Sequence, residues 1–323
     1  VFFGFSAHSC SARVFHCRTA SDARHEAPSL RSDESSTAGH ADYGRGIIDM
    51  IRTEHSVFAL SPDKGGVWHY HDGTWIKVGG PAAKLYGGEG NLLAISPTTA
   101  NVFRYQNEPD HWQQIGGPGA SFAITRFSVY GLTPDRKAVY SYDGVGTSWT
   151  RIGGAAGEIY GGPWGLVATD PNTGALFRYN NGSWAQIGGA GASFAVTGDS
   201  VYGLTPSRDA VYRYDGQGTS WSKIGTAAGR IWGGLWGLIA TDPSTGALFG
   251  YQYHSPDDNP DEPPTWRQIG GPGFDFSVSY ETVFGLSTNP VGGGVYRYDG
   301  EGTSWTRIGG PADSIAAALW VSA

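Results

Sequence analysis

From residue 57 onward the chain is built of short apolar runs at a nearly fixed interval. Segments such as GLVATD, ALFRYN and SWAQIG are four to six residues long and are bounded by Gly, Pro, Asp or Asn. Runs of that length, rich in Val, Ile, Phe, Tyr and Trp, predict strands; a helix would need a longer stretch with a 3.6-residue period. Within residues 155–190 the pattern predicts four strands, near GEIYG, GLVATD, ALFRYN and SWAQIG. The joins carry turn chemistry. DPNTG holds Asp170, Pro171 and Gly174, and NNG offers Gly182 for a positive φ.

The same unit returns seven times. Trp75, Trp112, Trp149, Trp184, Trp221, Trp266 and Trp305 each open a W-x-x-[IV]-G motif, with spacings of 37, 37, 35, 37, 45 and 39 residues. The long interval carries SPDDNPDEPP (255–264), a surface loop by composition. Four strands per ~37-residue unit is the signature of a propeller blade. Units of two kinds alternate. One reads EIYGGPWGLVATDPNTGALFRYNNGSW (158–184), the other SFAVTGDSVYGLTPSRDAVYRYDGQGTSW (193–221), as if the array grew by duplication of a pair.

The ends complete the array. VFALSPDKGGVWHYHDGTW (57–75) aligns with LVATDPNTGALFRYNNGSW (166–184) and supplies the last three strands of a blade. PADSIAAALW (311–320) aligns with AAGEIYGGPW (155–164) and supplies the missing first strand. The expected fold is therefore all-β: a seven-bladed β-propeller of four-stranded antiparallel blades over residues 55–323, closed by one blade shared between the termini. Such a clasp removes the exposed sheet edge. Residues 1–54 fall outside the period. They read as a partly disordered linker or the remnant of an upstream segment, with IIDMI a short helix or strand.

Composition narrows the function classes. The chain has 323 residues, 51 Gly, 12 Trp, one Met and 16% charged residues, and Gly follows no three-residue period, which excludes collagen and argues against a helical protein. No apolar run reaches the ~18 residues of a membrane span. The net charge is −7 with Lys and Arg scattered singly, so nucleic acid has no basic footprint to bind. Cys10 and Cys17 either pair or stay free. No cofactor motif is present, and the expected class is not an enzyme. GFSAH (4–8) only half resembles a nucleophile elbow, and His69, His71, His111 and His254 are expected on loops or strand ends.

The W…IGG frame, with its SVYGL and GLVAT segments, resembles the tectonin repeat over about 55–323. Tectonin-type and tachylectin-like propellers bind carbohydrate, and similar repeats end secreted bacterial hydrolases. The resemblance implies glycans or glycoconjugates as partners and a secreted or extracellular protein; the alternative reading is a rigid protein–protein interaction platform or the targeting module of a secreted hydrolase. VFFGFSAH would then be the tail of a signal peptide or of an upstream domain. Oligomeric state has no sequence signal.

The seven anchor tryptophans are expected to fill the space between sheets. Aromatics that vary between blades are the candidates for binding: Tyr86, Tyr160 and Trp164, Trp232 and Trp236, and Trp320 at the matching C-terminal position. Aromatic faces stack on the C–H face of a sugar, and a site repeated round a ring adds avidity. The competing reading is that these rings also pack between blades. Arg104, Arg178, Arg213 and Arg297 recur before a Tyr and are expected to bridge blades or cap carbonyls. Asp143, Asp215 and Asp299 in YDGxGTSW read as turn residues. The acidic insert (Asp257, Asp258, Asp261, Glu262) has the ligands of a Ca²⁺ loop, but its three prolines in 260–264 favour an extended linker.

Overall fold

The computed structural model describes residues 56–252, 264–288 and 293–318. Cys10, Cys17, the elbow-like GFSAH, IIDMI, His254, most of the acidic insert and Trp320 lie outside the described residues. Among the described ones, 28 strands form seven four-stranded antiparallel sheets. Blade 4 has strands Ile159–Gly162, Gly165–Thr169, Leu176–Asn180 and Ser183–Gly188, where the repeat predicts them. Blades 2, 3, 5, 6 and 7 follow the same meander over 84–116, 121–153, 193–225, 231–270 and 275–307. The first strands touch one another in sequence round the axis, closing a ring.

Blade 1 is the clasp. Its order is Ser314–Ala317, Val57–Leu60, Val67–His71 and Thr74–Gly79. Ile315 pairs with Ala59 as Ile159 pairs with Ala168 in blade 4, so the clasp has the register that the repeat alignment requires.

The core lies between blades rather than inside any one of them. Ala123, Leu132 and Val139 of blade 3 pack on Ile159, Leu166 and Ala168 of blade 4, for example. The anchor tryptophans fasten these faces. Each of the seven indoles donates from Nε1 to the carbonyl of the Ile or Val in the preceding blade's W-x-x-[IV]-G, at 2.6–2.8 Å. Each also lies against the Gly that follows that Ile or Val. A Cβ on Gly188 would sit 2.9 Å from Nε1 of Trp221, and the other six glycines are equally tight. The motif is thus one half of a latch on each side of every interface.

The alternation has a steric origin at the axis. In blades 2, 4 and 6 the first strand carries an aromatic and then Gly-Gly. A Cβ on Gly162 or Gly234 would lie 2.5 Å from a carbonyl oxygen, that of Val196 or Val278. The bare backbone of one type makes room for the branched Ile124, Val196 and Val278 of the other.

His69 differs from expectation. It lies inside the third strand of the clasp, buried, with its ring stacked on Phe58 at 4.2 Å and its Nε2 on the Ser56 hydroxyl. Burial first, and then the neighbouring His71, lower its pKa from 6.5 to about 4. The folded protein therefore keeps His69 neutral in a range where the unfolded chain takes up a proton. The resulting stability is full above pH ~6.5 and is lost as pH falls through about 4, about 3 kcal/mol in all. Urea unfolding at pH 7.5 and 4.5 checks this: a His69→Gln variant is expected to show a flatter dependence than the wild type. Glu89, whose carboxyl is raised by burial, works in the opposite direction, so the difference between the two proteins is the readout.

Candidate functional site

The blade-specific aromatics are half-buried and occupied by neighbours. Tyr86, Tyr160 and Trp232 meet Phe122, Phe194 and Phe276 of the next blade edge-on, at 5.7, 5.7 and 5.3 Å. Trp232 also donates from Nε1 to Asp275 (3.1 Å), and the guanidinium of Arg230 lies over its ring. Trp164 covers the guanidinium of Arg178 at 3.5 Å, and its backbone N–H donates to the Thr197 carbonyl of blade 5. Trp236 lies over Gly250, the position equivalent to Arg178, and its N–H donates to the Ser279 carbonyl. These five residues strap one kind of blade to the other round the inner part of the ring.

The recurring arginines take different partners: Arg213 pairs with Asp199 at 3.1 Å, and Arg104 lies over Tyr142 of blade 3. The aspartates of YDGxGTSW are turn residues. Ser148, Ser220 and Ser304 donate to Asp143, Asp215 and Asp299, and these bonds lead in holding the three carboxyls below the usual range.

A second repeated feature emerges only in space. Where the linker from one blade enters the next, a shallow cup opens between the sheets. Four of them have volumes of about 290, 240, 130 and 120 Å³, in blades 1, 4, 5 and 3. Each is walled by the anchor indole and by a partly exposed third-strand aromatic: Trp68 with Trp75, Phe177 with Trp184, Tyr212 with Trp221, Tyr140 with Trp149. Phe103, Phe249 and Tyr296 hold the same place in the remaining blades. The smaller cups are narrowed by a first-strand phenylalanine, Phe122 or Phe194.

The two glycines of IGG behave differently here. The first is required by the latch. The second (Gly80, Gly117, Gly154, Gly189, Gly271 and Gly310) has no positive φ, and a Cβ added there would meet nothing within 4 Å. Neither packing nor backbone geometry demands Gly at that place, yet six of seven repeats keep it, Thr226 being the exception. Gly117, Gly154, Gly189 and Gly310 line the four cups.

A polar residue lines each cup at the head of the loop between the second and third strands: Ser61, Thr133, Asp170 (with Thr169 before it) or Thr205. Asp170 accepts from Thr173 N, Asn172 N and the Thr173 hydroxyl, and these bonds hold its carboxyl low and ionised. An aromatic wall, a bare floor and one hydrogen-bonding group suit a single small ring with polar substituents. Among the described residues no cluster of three metal-ligating side chains occurs, and no helix is long and apolar enough to cross a membrane.

A family model described as Tectonin domain matches residues 123–321. No curated protein matches the chain. Among solved structures, yeast RCC1 bound by Kap60 is similar with a TM-score of 0.54 at 11% identity, covering 86% of this chain and 86% of that one. The ectodomain of the Physcomitrella patens receptor kinase CR4 is similar with a TM-score of 0.52 at 13% identity, covering 76% and 71%. At such identities these likenesses concern the fold alone.

Proposed function

The chain belongs to the Tectonin domain family, and from that membership we propose that it is a multivalent, lectin-like glycan-binding protein without catalytic activity, acting outside the cell. The observation that carries this reading is the second glycine of IGG. It is kept in six of seven repeats although nothing in the folded chain occupies the space over it. A ligand ring lying on that floor accounts for the absent side chain. The third-strand aromatic and the anchor indole would then hold its C–H face, and Asp170 or the equivalent hydroxyl its polar groups. The four cups open between equivalent elements and so face the same side of the ring, which favours a surface bearing many copies of a weak ligand.

Glycan-array screening of the full chain tests this. Phe177→Ala and Tyr212→Ala are expected to weaken binding about tenfold at the cups they line, which is about 1.4 kcal/mol. Trp164→Ala and Trp236→Ala form the contrasting pair. If only those two abolish binding, the ligand belongs to the inner set of Tyr86, Tyr160, Trp164, Trp232 and Trp236. Absence of binding to any glycan would overturn the proposal.

A further inference from the structure

The mouth of the axial channel holds a feature that the cups do not use. There the first strands enclose a cavity of about 290 Å³, walled by the double-glycine backbone and by Ile124, Val196 and Val278. Among the described residues lining it, Glu89 is the one charged group. The sister repeats place Pro163 and Leu235 at this position, so a carboxylate stands where the pattern is apolar. Its side chain is only 14% exposed, and burial raises its carboxyl above the usual range. The nearest cation is Arg126, whose Nε lies 4.0 Å away, beyond hydrogen-bond distance, on a side chain that is itself 68% exposed. Removing a carboxylate from water without a close partner is unfavourable, and the fold shows no structural return for it. Two aromatics stand at the same end of the ring: Tyr280, which lines the cavity and is 51% exposed, and Phe127, next to Arg126 and 86% exposed.

We propose that this axial mouth is a protein-binding site that takes the lysine side chain of a partner, its ammonium on Glu89 and its methylenes along Ile124, Val196 and Val278. Charge complementarity fixes the chemistry, since a single largely buried carboxylate at the mouth of a narrow cavity with branched side chains on its wall matches one compact cation on an aliphatic stem. The volume admits one extended side chain and excludes a folded element. Phe127 and Tyr280 supply the exposed aromatic contacts that anchor protein interfaces. Arg126 acts as a weak internal competitor for the same carboxylate. The site does not depend on the glycan reading.

Titration of the full chain with Nα-acetyl-lysine methylamide, in the absence of sugar, tests the proposal by heat or by NMR shifts. One equivalent is expected to bind saturably. Glu89→Gln is expected to weaken it at least about tenfold while leaving the melting temperature unchanged or higher. Arg126→Ala is expected to strengthen it about threefold by removing the competitor. The Nε-acetylated analogue, which has lost the charge, is expected not to bind. Equal binding to Glu89→Gln, equal binding of the acetylated analogue, or no saturable binding to the wild type would each overturn the assignment.

Discussion

Trp75→Ala is expected to destabilise the protein by about 3 kcal/mol, the low end of the range for a large core aromatic because the ring is half-buried. Trp75 is the latch that joins the chain's two ends. Its Nε1–H donates to Ile308 at 2.7 Å across 233 residues, whereas the other six latches span 32 to 42. The ring also packs with Val57, Ala59, Phe284, Leu286 and Ile315 at the junction of blades 7 and 1. Trp75→Phe keeps much of the ring but removes the donor, leaving the Ile308 carbonyl without its indole partner. That variant is expected to cost about 1–3 kcal/mol. Trp149→Phe removes the same bond between two blades that are adjacent in the chain. Equilibrium denaturation should give the two Phe variants similar losses, because the local contact is the same. Hydrogen exchange should separate them, since only Trp75→Phe speeds exchange of the 314–317 amides by releasing the clasp. A Trp75→Phe protein that denatures and exchanges like the wild type would rule out the latch.

Two adjacent glycines are expected to give opposite phenotypes. Gly188→Ala puts a methyl 2.9 Å from the Trp221 Nε1, so the indole or the blade must shift, at a cost of about 1–3 kcal/mol. Gly189→Ala meets nothing within 4 Å and is expected to leave stability within about 0.5 kcal/mol of wild type. Its effect should appear in binding: a methyl on the floor of the Tyr212–Trp221 cup removes one equivalent from the stoichiometry. Thr226→Gly is the complementary change and should add one at the blade 6 cup. Thermal denaturation and calorimetric titration with a glycan found on the array read the two properties separately. If Gly189→Ala binds every glycan as the wild type does, the bare floor has no part in recognition.

The fold was legible because every local choice repeats. Seven W-x-x-[IV]-G motifs at a near-constant spacing set the number of blades, and alignment of 311–320 with 155–164 placed the clasp to within two or three residues, the pairing of Ile315 with Ala59 being visible only in the structure. The aspartates of YDGxGTSW were legible as turns because Ser stands five residues on, in reach of the carboxylate. The cups were not legible. In the string IGG the two glycines are identical letters, and only the position of the neighbouring indole separates the one that must be Gly from the one that need not be. The third-strand aromatics were equally hidden, because an alternating AVYRY predicts a strand without saying which face a neighbouring blade covers. Trp164 and Trp236 drew notice by varying between blades. They belong to two of the three double-glycine blades, Gly90 taking their place in the third, and each lies over Arg178 or Gly250, which a single unit does not display. Glu89 was visible as a letter, but its burial at the axial cavity, with Arg126 no nearer than 4.0 Å, was not.

The alternation has a consequence in parity. Units that come in pairs give rings of even number, and seven is odd, so somewhere two like blades must meet or one blade must be neither kind. Blade 1 is that exception. Its axial strand SIAA lacks the Gly-Gly pair, as in one type, while its tight Asp72–Gly73 hairpin, both residues at positive φ, matches the Asn181–Gly182 turn of the other. Duplication or loss of a pair would leave this blade as it is and change the ring by two. The mixed blade, with an unlike neighbour on either side and both chain ends in its sheet, is what lets an alternating array close at an odd number.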